Sequence, residues 1–158
     1  MKKILFVISI LASLTAYAQR SEVLLEKNWK FHRGDVENAQ DVGYDDSSWQ
    51  NVTVPHDWAI YGPFSRDNDL QYKAVIENGE TKETWKTGRT GGLPYEGVGW
   101  YRTTFDASKT GRTTLIFDGA MSEAHVYVNG EEVIFWPYGY SSFHVDVTDH
   151  LTADGKNN

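Results

Sequence analysis

An all-β antiparallel sandwich is the fold class that this 158-residue sequence predicts, and two observations carry the prediction. Several short segments alternate apolar and polar residues with a period of two, the signature of strands buried on one face. Between them stand dipeptides that accept positive φ, Asn129-Gly130 and Asn78-Gly79 above all, which favour tight hairpin turns. No segment sustains a helical period and no internal repeat is present, so strands packed on strands are the expected architecture.

The first residues stand apart from that sheet. Lys2-Lys3 is a short basic region, Ile4 to Leu14 is apolar apart from Ser9 and Ser13, and Ala16-Tyr17-Ala18 has the small-x-small pattern of a cleavage site. Residues 1–18 are expected to be a secretory signal peptide cut after Ala18, because the apolar run is too short to anchor in a bilayer. No cysteine follows that could carry a lipid, so a periplasmic or extracellular location without a membrane anchor is expected. The remaining 140 residues suit one domain, 19–158, with a core that needs no disulfides. Without Lys2 and Lys3 the balance is 13 basic against 22 acidic residues, a formal charge of −9. A field of that sign repels nucleic acid and anionic lipid.

Along the mature chain, Val23 to Leu25 and Trp29 to His32 read as an opening strand pair or a bent strand. A polar stretch, Gly34 to Ser48, leads to Trp49. Val52-Thr53-Val54 reads as a short strand closed by Pro55, which lacks an N–H for a central ladder. Asp57 to Val98 has little periodicity and is rich in Gly, Asn, Asp and Lys, with a small hairpin expected from Tyr72–Ile76 and Thr81–Trp85 across Asn78-Gly79. So long a connection in a compact domain is disordered or functional, and its Trp58, Tyr61, Phe64, Tyr72, Trp85 and Tyr95 argue for order.

Regular structure resumes at Gly99. One strand is expected to run to Phe105, with Tyr101, Thr103 and Phe105 on one face and Trp100, Arg102 and Thr104 on the other. Leu115-Ile116-Phe117 is a short strand stopped by Asp118-Gly119. Ala124, Val126 and Val128 alternate with His125 and Tyr127, and the strand returns over Glu131 to Phe135 until Pro137 and Gly139 end it. Phe143, Val145 and Val147 repeat the alternation against His144, Asp146 and Thr148.

Chemical motifs are scarce. The five histidines never fall at ligand spacing and there is no cysteine, which argues against zinc; Asp67-Asn68-Asp69 lacks the Gly and distal Glu of a helix-loop-helix calcium site and reads as a solvated loop. No cofactor is implied. Ser141-Ser142 has no nucleophile-elbow context, and Gly97-x-Gly99 precedes a strand rather than a helix. Asn51-Val52-Thr53 is a formal glycosylation sequon that reads as chance beside a bacterial-looking leader. Sugar hydrolysis with retention needs two carboxylates about 5–5.5 Å apart. Glu131 and Glu132 are strand neighbours that point to opposite faces and cannot supply them. Trp85, Tyr95, Trp136 and Tyr138 are the aromatic residues that could stack on sugar rings, with core packing the competing use.

Four ordered motifs then become specific. Val54-Pro55-His56-Asp57-Trp58, Gly97-Val98-Gly99-Trp100-Tyr101-Arg102, Phe117-Asp118-Gly119 and Val126-Tyr127-Val128-Asn129-Gly130 together resemble the N-terminal sugar-binding domain of glycoside hydrolase family 2. Gly139-Tyr140-x-x-Phe143 and Asp146-Val147-Thr148 extend the match. The segments Gly62 to Asp69 and Gly88 to Pro94 look most like β-galactosidase-type members from relatives of gut Bacteroides. The resemblance implies a jelly-roll (galactose-binding-like) β-sandwich. In that family an immunoglobulin-like domain follows, then a barrel that carries an acid/base Glu and a nucleophile Glu and acts with retention.

Against that pattern this chain stops at Asn158. It is therefore expected to be an incomplete front piece, missing its last strand or strands and both catalytic Glu residues, and inactive alone. Its partners would be a β-galactoside or related glycan and the missing domains of the same enzyme. The insert, about 57–98, is expected to reach toward the sugar pocket with Arg66, Asp67, Asn68, Asp69 and Arg89 as substrate-facing groups. A free-standing carbohydrate-binding module, or a domain that docks on a separate catalytic chain, are the alternative functions for the same scaffold.

Overall fold

The computed structural model describes residues 20–65, 67–68, 70–87 and 97–158. The leader over 1–18 lies outside them, as do Arg66, Asp69, Arg89 and Tyr95. The described chain is all-β, with every ladder antiparallel. Strand β1 (Trp29–Arg33) lies between β2 (Gln50–Val52) and β5 (Gly99–Arg102) in a three-stranded sheet. The hairpin β3 (Leu70–Glu77) to β4 (Glu80–Thr87) forms a two-stranded sheet of its own. Short β6 (Phe105–Asp106) pairs with β11 (Lys156–Asn157), β7 (Thr114–Phe117) with β10 (Phe143–Asp146), and β8 (Ala124–Val128) with β9 (Glu131–Trp136).

The hairpin at Asn129-Gly130 forms as its residues dictate, with φ of 53° and 87° at the two turn positions. A bulge at Val133 lets Tyr127 face Glu132 while Val126 faces Ile134. Val128 thereby joins Val147 and Leu151 in the fully buried core, and Phe105, Ala107, Leu115, Val133 and Val145 pack around them. Each such aliphatic side chain contributes roughly 1.5–3 kcal/mol by leaving water. Phe117 stacks on Phe143 at 4.7 Å, and Trp136 stacks on Phe143 at 5.3 Å. Trp136, half-buried, is thus engaged in packing.

Polar groups tie the end of the chain to that core. Asn129 donates from Nδ2 to the His150 carbonyl (2.8 Å) and to Asn157 Oδ1 (3.0 Å), while its own Oδ1 accepts the Asn158 N–H at 3.0 Å. Buried Asn157 donates to the Ala107 carbonyl at 3.0 Å and accepts the Thr152 N–H at 2.8 Å. Both amides therefore spend their donors and acceptors on each other and on backbone groups of the chain end and its neighbours.

Three expectations about strands need correction. Val23 to Leu25 is no strand; Val23 and Leu24 are exposed, because no neighbouring strand offers them a ladder, and Asn28 at φ 65° turns the chain into β1. The strand before Pro55 is Gln50–Val52 rather than Val52–Val54, since its register ends at Trp29 opposite Val52, where β1 itself begins. The strand from Gly99 does not run to Phe105. It leaves the β1 ladder after Arg102 and re-forms as β6 against the chain terminus, with Thr103 and Thr104 between. Arg102, at the end of β5, is only 6% exposed.

Candidate functional site: an aromatic cleft and the latch of the insert

In β1, Trp29, Phe31 and Arg33 share one face and Lys30 and His32 the other. The register sets Tyr101 opposite Phe31 and Gly99 opposite Arg33, so these five residues form one continuous surface. His56 and Trp58, on the segment after β2, pack onto it. Phe31 lies 4.9 Å from the His56 ring, 5.8 Å from Trp58 and 4.8 Å from Tyr101. Gly99 is what lets Trp58 come down: a Cβ there would stand 3.2 Å from the Phe31 ring and 3.3 Å from the Trp58 ring. The order Pro55-His56-Asp57-Trp58 and Gly97-Val98-Gly99-Trp100-Tyr101 is therefore one packing unit written in two pieces.

The opposite face of the same sheet is covered too. Trp49 packs on His32 at 5.4 Å and Tyr127 stacks on Trp100 at 5.8 Å. There the buried Arg102 guanidinium pairs with Asp46 at 3.0 Å, donates to the Ala39 carbonyl, and sits 5.6 Å over the Tyr44 ring. This arrangement pins the polar 34–48 stretch to the sheet. Because β2 stops opposite Phe31, the end of β1 has no partner on that side. A cleft of about 320 Å³ opens there, lined by His32, Arg33, Trp49, His56, Trp58 and Tyr61 among others.

The cleft lining combines aromatic rings with two imidazoles, His32 and His56, and the Arg33 guanidinium. It contains no carboxylate. Tyr101 behind it shares a 2.9 Å hydrogen bond with His56 Nδ1 and is pushed up to about 12, first by burial and then by the negative charge of Asp57. The phenol stays neutral across the physiological range. Tyr61 stacks on the outer side of His56 at 6.4 Å. Glu131 and Glu132 each take a different histidine, His150 at 2.7 Å and His125 at 2.7 Å, and form no pair. Among the described residues no group of three or more His, Asp or Glu could hold a metal ion.

Arg33 links this cleft to the insert. Its Nη2 donates to the Trp58 carbonyl at 2.7 Å, its Nη1 to the Gly62 carbonyl, and the guanidinium lies 5.2 Å over the Trp58 ring. Asp57 Oδ1 accepts the Ala59 N–H at 3.1 Å, just ahead of a 3-10 turn over Ala59–Tyr61. The chain then reaches Ser65–Asn68, where the Asn68 N–H donates to the Ser65 carbonyl (3.2 Å), the Asp67 N–H donates to Ser65 Oγ (3.1 Å), and Asn68 Nδ2 donates to the Pro63 carbonyl (3.3 Å). Asp67 and Asn68 are thus neighbours in one local turn, with Asp67 exposed. Arg66, Asp69 and Arg89, grouped with them from the sequence, lie outside the described residues.

Sequence reasoning missed Arg33, Trp49 and Phe31 as parts of the site. The available signal was parity: Arg33 falls on the same strand face as Phe31, where a cation has to find partners. The aromatic candidates divide. Trp85 and Tyr138 are exposed, Trp136 is packed, and Tyr95 is outside the described residues.

With this geometry established, likeness to known proteins becomes informative. The model of the family described as "Glycosyl hydrolases family 2, sugar binding domain" matches residues 23–158. A beta-galactosidase of Bacteroides ovatus is 35% identical over an alignment of 149 residues that covers 92% of this chain and 15% of that protein. A solved beta-glycosidase of Bacteroides vulgatus superposes with a TM-score of 0.63 at 35% identity, over 84% of this chain and 16% of the other. A beta-glucuronidase structure from Bacteroides uniformis gives 0.66 at 26% identity, over 88% and 14%. The chain therefore spans about a seventh of the length of these relatives. A family match over nearly all described residues, on an all-β sandwich whose motifs pack as one unit, establishes that the chain belongs to the sugar-binding domain of glycosyl hydrolase family 2.

Proposed function

We propose that this domain is the exported front part of a retaining glycoside hydrolase of beta-galactosidase type, and that its 57–98 segment helps to shape the sugar pocket. The observation that carries the reading is the latch. Arg33 on a core strand holds two carbonyls of the segment, at Trp58 and Gly62, so the turn bearing Asp67 and Asn68 leaves the sandwich from a fixed root. An insert that serves only as a tether gains nothing from such a root; one that offers polar groups to a substrate does. Asp67 and Asn68, with Arg66, Asp69 and Arg89, are the proposed substrate-facing groups, the chemistry of the two glutamates belongs to a barrel elsewhere in the polypeptide, and no cofactor is required of this domain.

A second reading, action on a beta-glucuronide, is favoured by the likeness to the Bacteroides uniformis beta-glucuronidase. One experiment separates the two. The polypeptide encoded by the complete gene is assayed on aryl β-galactoside and aryl β-glucuronide, and Asp67→Ala and Asn68→Ala are compared with it. The expected result is turnover of the galactoside, and a fall of about tenfold in kcat/KM for each variant as one hydrogen bond to the sugar is lost. Turnover of the glucuronide alone moves the reading to the second substrate; unchanged kinetics in both variants contradict the role given to the turn. Export is checked by sequencing the N-terminus of the native product, expected to begin at Gln19.

A further inference from the structure

The hairpin β3–β4 carries a surface that its own domain does not use. Cross-strand register places Leu70, Tyr72, Ala74 and Ile76 on one face with Thr81, Glu83 and Trp85, while Gln71, Lys73, Val75, Glu77, Glu80, Lys82 and Lys86 occupy the other. The first face is an apolar stripe of about 20 Å, given the rise per residue of a strand. It is open: Leu70 is 40% exposed, Tyr72 57%, Ile76 78% and Trp85 61%. Neither strand pairs with any other strand of the described chain. A lone two-stranded hairpin is at best marginally stable in water, and a contiguous exposed apolar face marks an interaction site.

The face also constrains its partner. Tyr72 and Trp85 sit side by side at 5.2 Å, and Glu83 accepts the Tyr72 hydroxyl at 3.1 Å, so the one charge on the stripe is negative. The opposite face bears the solvated ion pairs, Glu77 with Lys82 and with Lys86, both at 3.8 Å. A saccharide fits poorly, because Leu70 and Ile76 flank the aromatic pair with branched alkyl groups that give nothing to hydroxyls. An apolar protein surface with a cation or N–H donor aimed at Glu83 fits well. The relatives are about seven times longer than the matched stretch, so a family member carries ample further surface in the same polypeptide.

We propose that the Leu70–Tyr72–Ile76–Trp85 face docks on another domain of the same polypeptide and is buried there, so that the hairpin is an interdomain strut. The inference rests on the reading that this domain is the front of a longer enzyme. The test uses the absence of cysteine from this chain. Ile76→Cys on the docking face and Lys73→Cys on the solvated face are labelled with a maleimide, in the 158-residue chain and in the product of the complete gene, against each unsubstituted protein as background. The expected result is that Ile76→Cys reacts at least tenfold more slowly in the longer product, while Lys73→Cys reacts alike in both. Equal reactivity of Ile76→Cys in the two proteins overturns the docking while leaving the longer-enzyme reading intact. Concentration-dependent protection in the 158-residue chain assigns the face to a second copy, and protection only by added galacto- or glucurono-oligosaccharide assigns it to a sugar; either result overturns the proposal. A gene that ends at the Asn158 codon overturns both the reading and the docking.

Discussion

Two hairpins in this molecule are built on the same local plan and meet opposite fates. β8–β9 turns at Asn129-Gly130 and β3–β4 at Asn78-Gly79, with φ of 53° at both asparagines and 87° and 81° at the glycines. Turn chemistry thus makes each hairpin, and it makes both about equally well. What differs is the company each one keeps. The first buries Val128 against Val147 and Leu151 and uses Asn129 to clasp the last residues of the chain. The second leaves its aromatic and aliphatic face open to water. Local sequence decides that a hairpin exists; only a packing partner decides whether its apolar face is core or interface.

Truncation in each apolar cluster separates the two hairpins most strongly. Leu151→Ala empties a fully packed site and is expected to cost about 2–5 kcal/mol in a denaturant titration. Trp85→Ala, a larger truncation, is expected to change the stability of the 158-residue chain by no more than about 0.5 kcal/mol, because its ring is 61% exposed and packs on Tyr72 of the same hairpin. Comparable losses from the two would mean that the hairpin belongs to the core after all.

A smaller contrast lies in the turns. Asn78→Ala and Asn129→Ala both place alanine at positive φ, a cost of about 1–2 kcal/mol each. Only Asn129→Ala also strands the His150 carbonyl and the Asn158 N–H, adding about 1–3 kcal/mol. Global unfolding should therefore register the full loss for Asn129→Ala, whereas Asn78→Ala should loosen the hairpin alone, visible as faster local proteolysis of residues 70–87. Equal shifts in the global transition would contradict the distinction.

The smallest expected effect is alkaline. Burial raises Tyr101 above the ordinary 10.0 of an unfolded tyrosine, to about 12, so folding favours the neutral phenol. The stabilisation is fully present below pH 10 and is lost as pH rises through the folded value. Tyr101→Phe should abolish that loss between pH 10 and 12 in thermal melts. An unaltered alkaline profile would show that another group is responsible.

These contrasts also explain what could be read from the sequence. Both hairpins were legible because their signals are local: an Asn-Gly pair flanked by alternating residues. The strands Leu115–Phe117 and Phe143–Val145 were legible for the same reason. Val23 to Leu25 misled because β-propensity needs a neighbouring strand to be expressed, and none of the described strands pairs there. Half-buried Arg33 and buried Arg102 were not legible as organisers. The carbonyls and carboxylate that satisfy them lie 25 to 63 residues away in sequence, and only the folded sheet brings them together. The latch of the insert was thus invisible, although the insert itself was plain from its composition.

Native-state hydrogen exchange on the 158-residue chain compares the ladder amides of the two hairpins under one condition. If the account is right, amides of β8–β9 exchange only through global unfolding, while those of β3–β4 exchange through local opening and are faster by orders of magnitude. Equal protection in the two hairpins would contradict it, since the open face would then have a partner inside this domain.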